Sequence, residues 1–163
     1  MALFSLFFLS LSVNAQNNYT LNRNQLILPK PIIFHEHAND IADVNDMMLD
    51  YVADFLKDNP NITKLRIESH VFSENNSSEN MKLSMQRAAI VAYYLTVRGI
   101  DCSLLTVSGF GDTMPLEFAD IGVADADIDF NTRLEFYIER LGMSETASTR
   151  NFKICKFYNP CEE

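Results

Sequence analysis

No run of lysines or arginines occurs anywhere in the 163 residues, and acidic side chains outnumber basic ones 22 to 13, for a formal charge of -9. Phosphate contacts need clustered basic side chains, so nucleic acid is excluded as a partner class. The apolar run at residues 2–13 (ALFSLFFLSLSV) falls short of the roughly 18 residues a membrane-spanning helix requires. It has the length of a signal peptide, so export is expected rather than a transmembrane span. Val13-Asn14-Ala15 places short side chains before a cut that would leave Gln16 first, although the run lacks a positive leader. No cysteine follows it, so a lipid anchor is not indicated. Catalytic signatures are missing too: there is no G-x-S-x-G, no H-E-x-x-H and no cysteine with a motif-placed histidine. Neither an enzyme nor a cofactor is expected. The three cysteines show no C-x-x-C spacing that would bind a metal. In an exported chain Cys155 and Cys161 can pair around Pro160, which leaves Cys102 over or exchanging partners.

What is present is enough for one domain. An apolar content of 47% in a chain of this length builds one sizeable core and leaves no room for a second. Beyond a polar stretch at 16–25, Leu26-Ile27-Leu28 and Pro31-Ile32-Ile33-Phe34 read as extended chain bounded by prolines. From 41 to 57, Val44, Met47, Met48, Tyr51, Val52, Phe55 and Leu56 recur at helical steps, with Asn39 or Asp40 as cap and Asp58-Asn59-Pro60 as stop. Ile62, Leu65 and Ile67 mark a strand over 62–70. A polar loop at 73–79 precedes a second helix over 80–98, with Leu83, Arg87, Ile90, Val91, Tyr94 and Leu95 near one face and Gly99 as stop. Strands follow at 104–108 and 134–138, separated by a Gly109-Phe110-Gly111-Asp112 turn and an acidic insertion. That insertion lacks the glycine and terminal glutamate of a calcium loop. The order β-α-β-α-β-β predicts an α/β sandwich, with two amphipathic helices on one face of a mixed sheet.

Four local motifs stand in this order. Asn80-Met81-Lys82-Leu83-Ser84-Met85-Gln86-Arg87-Ala88 has the form N-x-x-L-S-x-x-R-A; Ile67-Glu68-Ser69-His70 stands where I-x-G-H-T-D would; Gly109-Phe110-Gly111 with Pro115 fits G-x-G-x-x-x-P; and Asn131-Thr132-Arg133-Leu134-Glu135 stands where N-R-R-V-E would. Together they make residues 26–140 resemble the OmpA-like domain, with 1–15 as signal peptide, 16–25 as polar lead-in and 141–163 as a cysteine-containing tail. The resemblance implies a non-catalytic cell-envelope module, exported to the periplasm or the outer-membrane face of a Gram-negative bacterium. It also implies a pocket for the diaminopimelate of the peptidoglycan stem peptide. Such a residue ends in an ammonium and a carboxylate, so the family supplies an aspartate for one and an arginine for the other.

Position by position, Arg87 and Asn80 match the family's ligand-binding arginine and asparagine, and Asn131 opens the N-R-R region. His70 keeps its motif place, whereas the motif aspartate falls on Phe72 and the first arginine of N-R-R on Thr132. A buried ammonium left unpaired forfeits about 2–5 kcal/mol, roughly 30-fold or more in affinity. Glu36 and Glu74 are the candidates to replace the lost carboxylate. Two expectations from different classes follow: a peptidoglycan binder, or the same fold kept as a structural module with an envelope protein as partner. His35, His37 and His70 offer three imidazoles, but without an evident fourth ligand they read as polar strand ends and no metal is expected.

Overall fold

The computed structural model describes residues 18–34, 46–73, 76–116 and 131–142, with the backbone of 144–145. Its strands are β1 (Thr20–Asn22), β2 (Gln25–Ile27), β3 (Ile62–His70), β4 (Leu105–Gly111), β5 (Arg133–Leu141) and β6 (Ser144–Glu145). The helices are α1 (Asp46–Asp58) and α2 (Ser77–Val97), with a 3-10 turn at Cys102–Leu104. The sheet runs β1-β2-β5-β3-β4, with β6 also on β5. Only β3 and β4 pair in parallel, a geometry that needs a crossover connection, and α2 supplies it. The expected α/β sandwich with a mixed sheet is what forms.

Alternation along the central strands divides the sheet into two chemically different faces. Leu65 and Ile67 of β3, Leu105 and Val107 of β4, Phe136 and Ile138 of β5 and Leu26 of β2 join one buried cluster with the helices. From α1 the cluster takes Met48, Leu49, Val52, Ala53, Phe55 and Leu56. The predicted stripe on this helix is therefore right except at Met47, which is 66% exposed. Residues 35–45, including Val44 and the expected caps Asn39 and Asp40, lie outside the described residues.

The second helix begins three residues earlier than its apolar pattern predicts, because Asn76 caps it: its side-chain oxygen accepts the amide N–H of Glu79 at 3.0 Å. Its buried stripe also differs from the predicted one. Ser84, Ala88 and Ala92 are its fully buried centre, with Val91 and Leu95, while Leu83 and Ile90 are only half-buried. Small residues at four-residue steps let the helix axis approach the sheet closely, and β4 answers with glycine. A Cβ at Gly109 would lie 2.3 Å from the backbone nitrogen of Met85, and one at Gly111 would lie 2.7 Å from that of Met81. The G-x-G motif is thus the seat of α2. The hydroxyl of Ser84 ties the contact, accepting the Gly111 N–H at 2.8 Å and donating to the Met81 carbonyl at 2.8 Å.

Two other expectations change at the N-terminal edge. The sheet opens with a β1–β2 hairpin that begins inside the polar stretch, where Thr20 pairs with Ile27. Residues 31–33 form no strand, and Phe34 keeps only an isolated bridge. Tyr19 explains why the polar stretch folds: its ring packs edge-on against Tyr51 and Phe55, both at 5.1 Å, and its hydroxyl donates to Asp58. The predicted strand over 104–108 runs on to Gly111, and the one over 134–138 begins at Arg133 and reaches Leu141.

Candidate functional site

The close seat of α2 on β4 sets the first turns of that helix beside the turn that follows the strand. Asn80 is 1% exposed there. Its side-chain oxygen accepts the Ser73 hydroxyl at 2.6 Å, and its amide nitrogen donates to Asp112 at 3.3 Å. Asp112 also accepts the Ser77 hydroxyl at 2.9 Å, and that bond holds its carboxyl below the usual carboxylate range. It therefore stands ionised at the helix N-terminus. Asp112 is a candidate that the sequence reading passed over; the signal was the Gly-Phe-Gly-Asp turn, read only as a turn.

Two helical turns further on, Arg87 is 8% exposed, with its guanidinium 4.7 Å from the centre of the Phe34 ring. Helical side chains lean toward the N-terminus, so Arg87 reaches back toward the end that carries Asn80. Among the described residues its guanidinium has no hydrogen bond and no ion pair, and its buried Nε has no partner. Burial pushes its pKa down from the usual arginine value. Such a group has incurred the desolvation of a cation, and no anion among the described residues offsets it.

Phe72 and Thr132 are brought together. The Thr132 hydroxyl accepts the Phe72 N–H at 2.9 Å and donates to the Phe72 carbonyl at 3.1 Å. Thr132 thus holds the exit of β3 in place through the backbone, while the half-buried Phe72 brings no carboxylate to it. Asn131 serves the neighbouring segment, its side-chain oxygen accepting the Leu116 N–H at 2.8 Å. Arg133 donates to the carbonyls of Asn131 and Met114 at 3.2 and 3.4 Å. His70 is not gathered with Arg87. It lies on the face opposite α1 and α2, 1% exposed, stacked on Phe110 at 5.2 Å and beside Glu135. Glu36, Glu74, His35 and His37 lie outside the described residues, as does the acidic insertion at 117–130.

Cys102 corrects a further expectation. It is disulfide-bonded rather than left over. Cys155 and Cys161 are the chain's other cysteines and lie outside the described residues.

Comparison with known proteins bears on this arrangement directly. The OmpA-like domain of FopA1 from Francisella tularensis is 23% identical over 72% of this chain and 75% of that one, with a TM-score of 0.56. The peptidoglycan-associated lipoprotein from Burkholderia pseudomallei is 19% identical over 67% and 89%, at 0.54. A putative MotB-like protein from Desulfovibrio vulgaris is 24% identical over 76% and 78%, at 0.59. At these identities the likeness establishes the fold. The family itself follows from the sequence model of the OmpA family, which matches residues 33–127. That match takes in more than half of the chain, including β3, α2, the G-x-G seat and Arg87, and on it the chain belongs to the OmpA family.

Proposed function

We propose that this chain is a non-catalytic module of the bacterial cell envelope that holds peptidoglycan non-covalently through the diaminopimelate of the stem peptide. The observation that carries this reading is Arg87, a buried guanidinium with no anionic partner among the described residues, at the motif position of a carboxylate-binding arginine. The ligand's carboxylate would complete Arg87 as a charge-assisted pair. Its ammonium would go to Asp112 beside Asn80, a carboxylate already ionised and partly open, in place of the motif aspartate that Phe72 displaces. The similar structures support the setting: a peptidoglycan-associated lipoprotein, the cell wall anchor of the T6SS from Pseudomonas aeruginosa and an outer membrane protein from Borrelia burgdorferi. The Cys102 disulfide supports export to an oxidising compartment, the periplasm or the outer-membrane face. Among the described residues no helix is long and apolar enough to cross a membrane.

A second reading rests on Phe72 and Thr132: the fold is kept, the ammonium site is lost, and the surface serves an envelope protein. Sedimentation with purified sacculi separates the two. Wild type should sediment, whereas Arg87→Ala and Asp112→Asn should lose roughly 30-fold or more in affinity. If wild type stays in solution and only Phe72→Asp sediments, the second reading replaces the first.

A further inference from the structure

On the face of the sheet away from the helices, β3 presents Arg66, Glu68 and His70 in alternation, at 5%, 1% and 1% exposure. The β3–β5 register places Glu68 directly opposite Glu135. Two carboxylates opposed on neighbouring strands repel, and burial strengthens the repulsion, so the pair requires a cation. The imidazole beside them is as unusual. Neither ring nitrogen of His70 has a hydrogen-bond partner among the described residues. Its Nε2 lies 3.2 Å from Oε2 of Glu135 and 3.9 Å from Oε2 of Glu68, with a hydrogen bond to neither. A buried group in that state calls for an explanation.

We propose that Glu68, His70 and Glu135 form a binding site for a divalent first-row transition ion, with zinc the best match to one nitrogen and two carboxylate oxygens. One ligand atom from each residue falls within 4.8 Å of the others. Zinc bonds to nitrogen and oxygen of about 2.0–2.2 Å place neighbouring ligands roughly 3–4 Å apart, the spacing found here around Nε2. The outward oxygens are already held as those of ligating carboxylates usually are: Arg66 Nε donates to Oε1 of Glu68 at 2.6 Å, and Gln25 donates to Oε1 of Glu135 at 3.1 Å. Phe110 fixes the plane of the imidazole by stacking on it.

Charge favours an added cation. With His70 neutral, as a ligand must be, the carboxylates of Glu68, Glu135 and Glu139 exceed the guanidiniums of Arg66 and Arg133 by one. Arg133 is the rival occupant, with Nε 3.3 Å from Oε2 of Glu135. That Nε makes no hydrogen bond, however, and the group is anchored instead to the carbonyls of Met114 and Asn131. It can remain at the rim while the ion takes the inner oxygen. Access and a fourth, water ligand come from that rim, where the side chains of Glu135 and Arg133 are 16% and 17% exposed. The ion would staple β3 to β5 at the end of the sheet from which Phe72 and Thr132 emerge.

The test uses the full chain stripped with a chelator and titrated with zinc in equilibrium dialysis. One equivalent should bind, and saturation at about a hundred times Kd should raise Tm by roughly 5 °C or more. Glu135→Gln and His70→Gln should each weaken binding at least tenfold, while a His35→Gln/His37→Gln double variant should bind as wild type does. If the substituted chains fail to fold, zinc-edge X-ray absorption of the wild type decides, with one imidazole and oxygen ligands expected. No stoichiometric uptake, uptake lost only with His35 and His37, or a shell containing sulfur or more than one imidazole would each overturn the site.

Discussion

A methyl group at Gly109 would press on the backbone of α2, 2.3 Å from the Met85 nitrogen and 2.7 Å from its Cα, where no side-chain rotation can relieve it. Gly109→Ala should therefore destabilise by at least about 3 kcal/mol, the upper part of the usual overpacking range. Urea denaturation checks it, and a loss below 1 kcal/mol would show that the helix can slide. The same residue scale holds the chemistry of the candidate site. Arg87 and Asn80 were legible because a nine-residue motif carries them at fixed helical spacing. Asp112 was not, because its meaning depends on a hydrogen bond from Asn80, 32 positions earlier. Phe72 was legible as a departure, yet the hydroxyl that holds its backbone comes from Thr132, which the sequence showed only as a lost arginine.

Among elements, the decisive contact is β3 against β5, where one strand brings Glu68 and His70 and the other Glu135. Burial alone would raise the carboxyl of Glu135, but contact with His70 and the charge of Arg133 outweigh it and hold the group below the ordinary glutamate range. The sign of the linkage follows. A depressed folded-state pKa gives stability that is complete above the unfolded value and is lost as pH falls through the folded one. In chelator-treated solution the stability advantage of wild type over Glu135→Gln should therefore shrink as pH drops below the ordinary glutamate range. Urea titrations at a series of pH values read this out, and an advantage that grows toward acid would refute it. Helices were easier to foresee than this pairing. The apolar period of α1 needed no knowledge of its neighbours, whereas the stripe of α2 was misplaced toward Leu83 and Ile90 because its true centre, Ser84, Ala88 and Ala92, is buried for being small rather than apolar.

For the whole molecule, the Cys102 disulfide ties down the 3-10 turn before β4. Cross-linking the unfolded chain is typically worth about 2–4 kcal/mol in the chain-entropy account. Reductant should accordingly lower the Tm of wild type substantially and leave Cys102→Ser unmoved, as differential scanning calorimetry would show; equal responses would mean that the bond does not constrain the unfolded chain. Other long-range ties are weaker. Arg98 on the end of α2 reaches Asp46 and Asp50 of α1 at 2.6 and 2.7 Å, but both carboxylates are exposed, so the clamp orients the helices more than it stabilises them.

The sequence by itself determined the α/β architecture, the order of its elements, the glycines on which α2 rests and the positions of Arg87 and Asn80, since periodicity and steric room are written locally along the chain. Only the tertiary structure decided that Asp112 stands beside Asn80, that Glu68 meets Glu135 around His70, and that Cys102 is bonded. Each of these joins residues far apart in the chain, and strand register and loop closure, which no local pattern encodes, choose the partners.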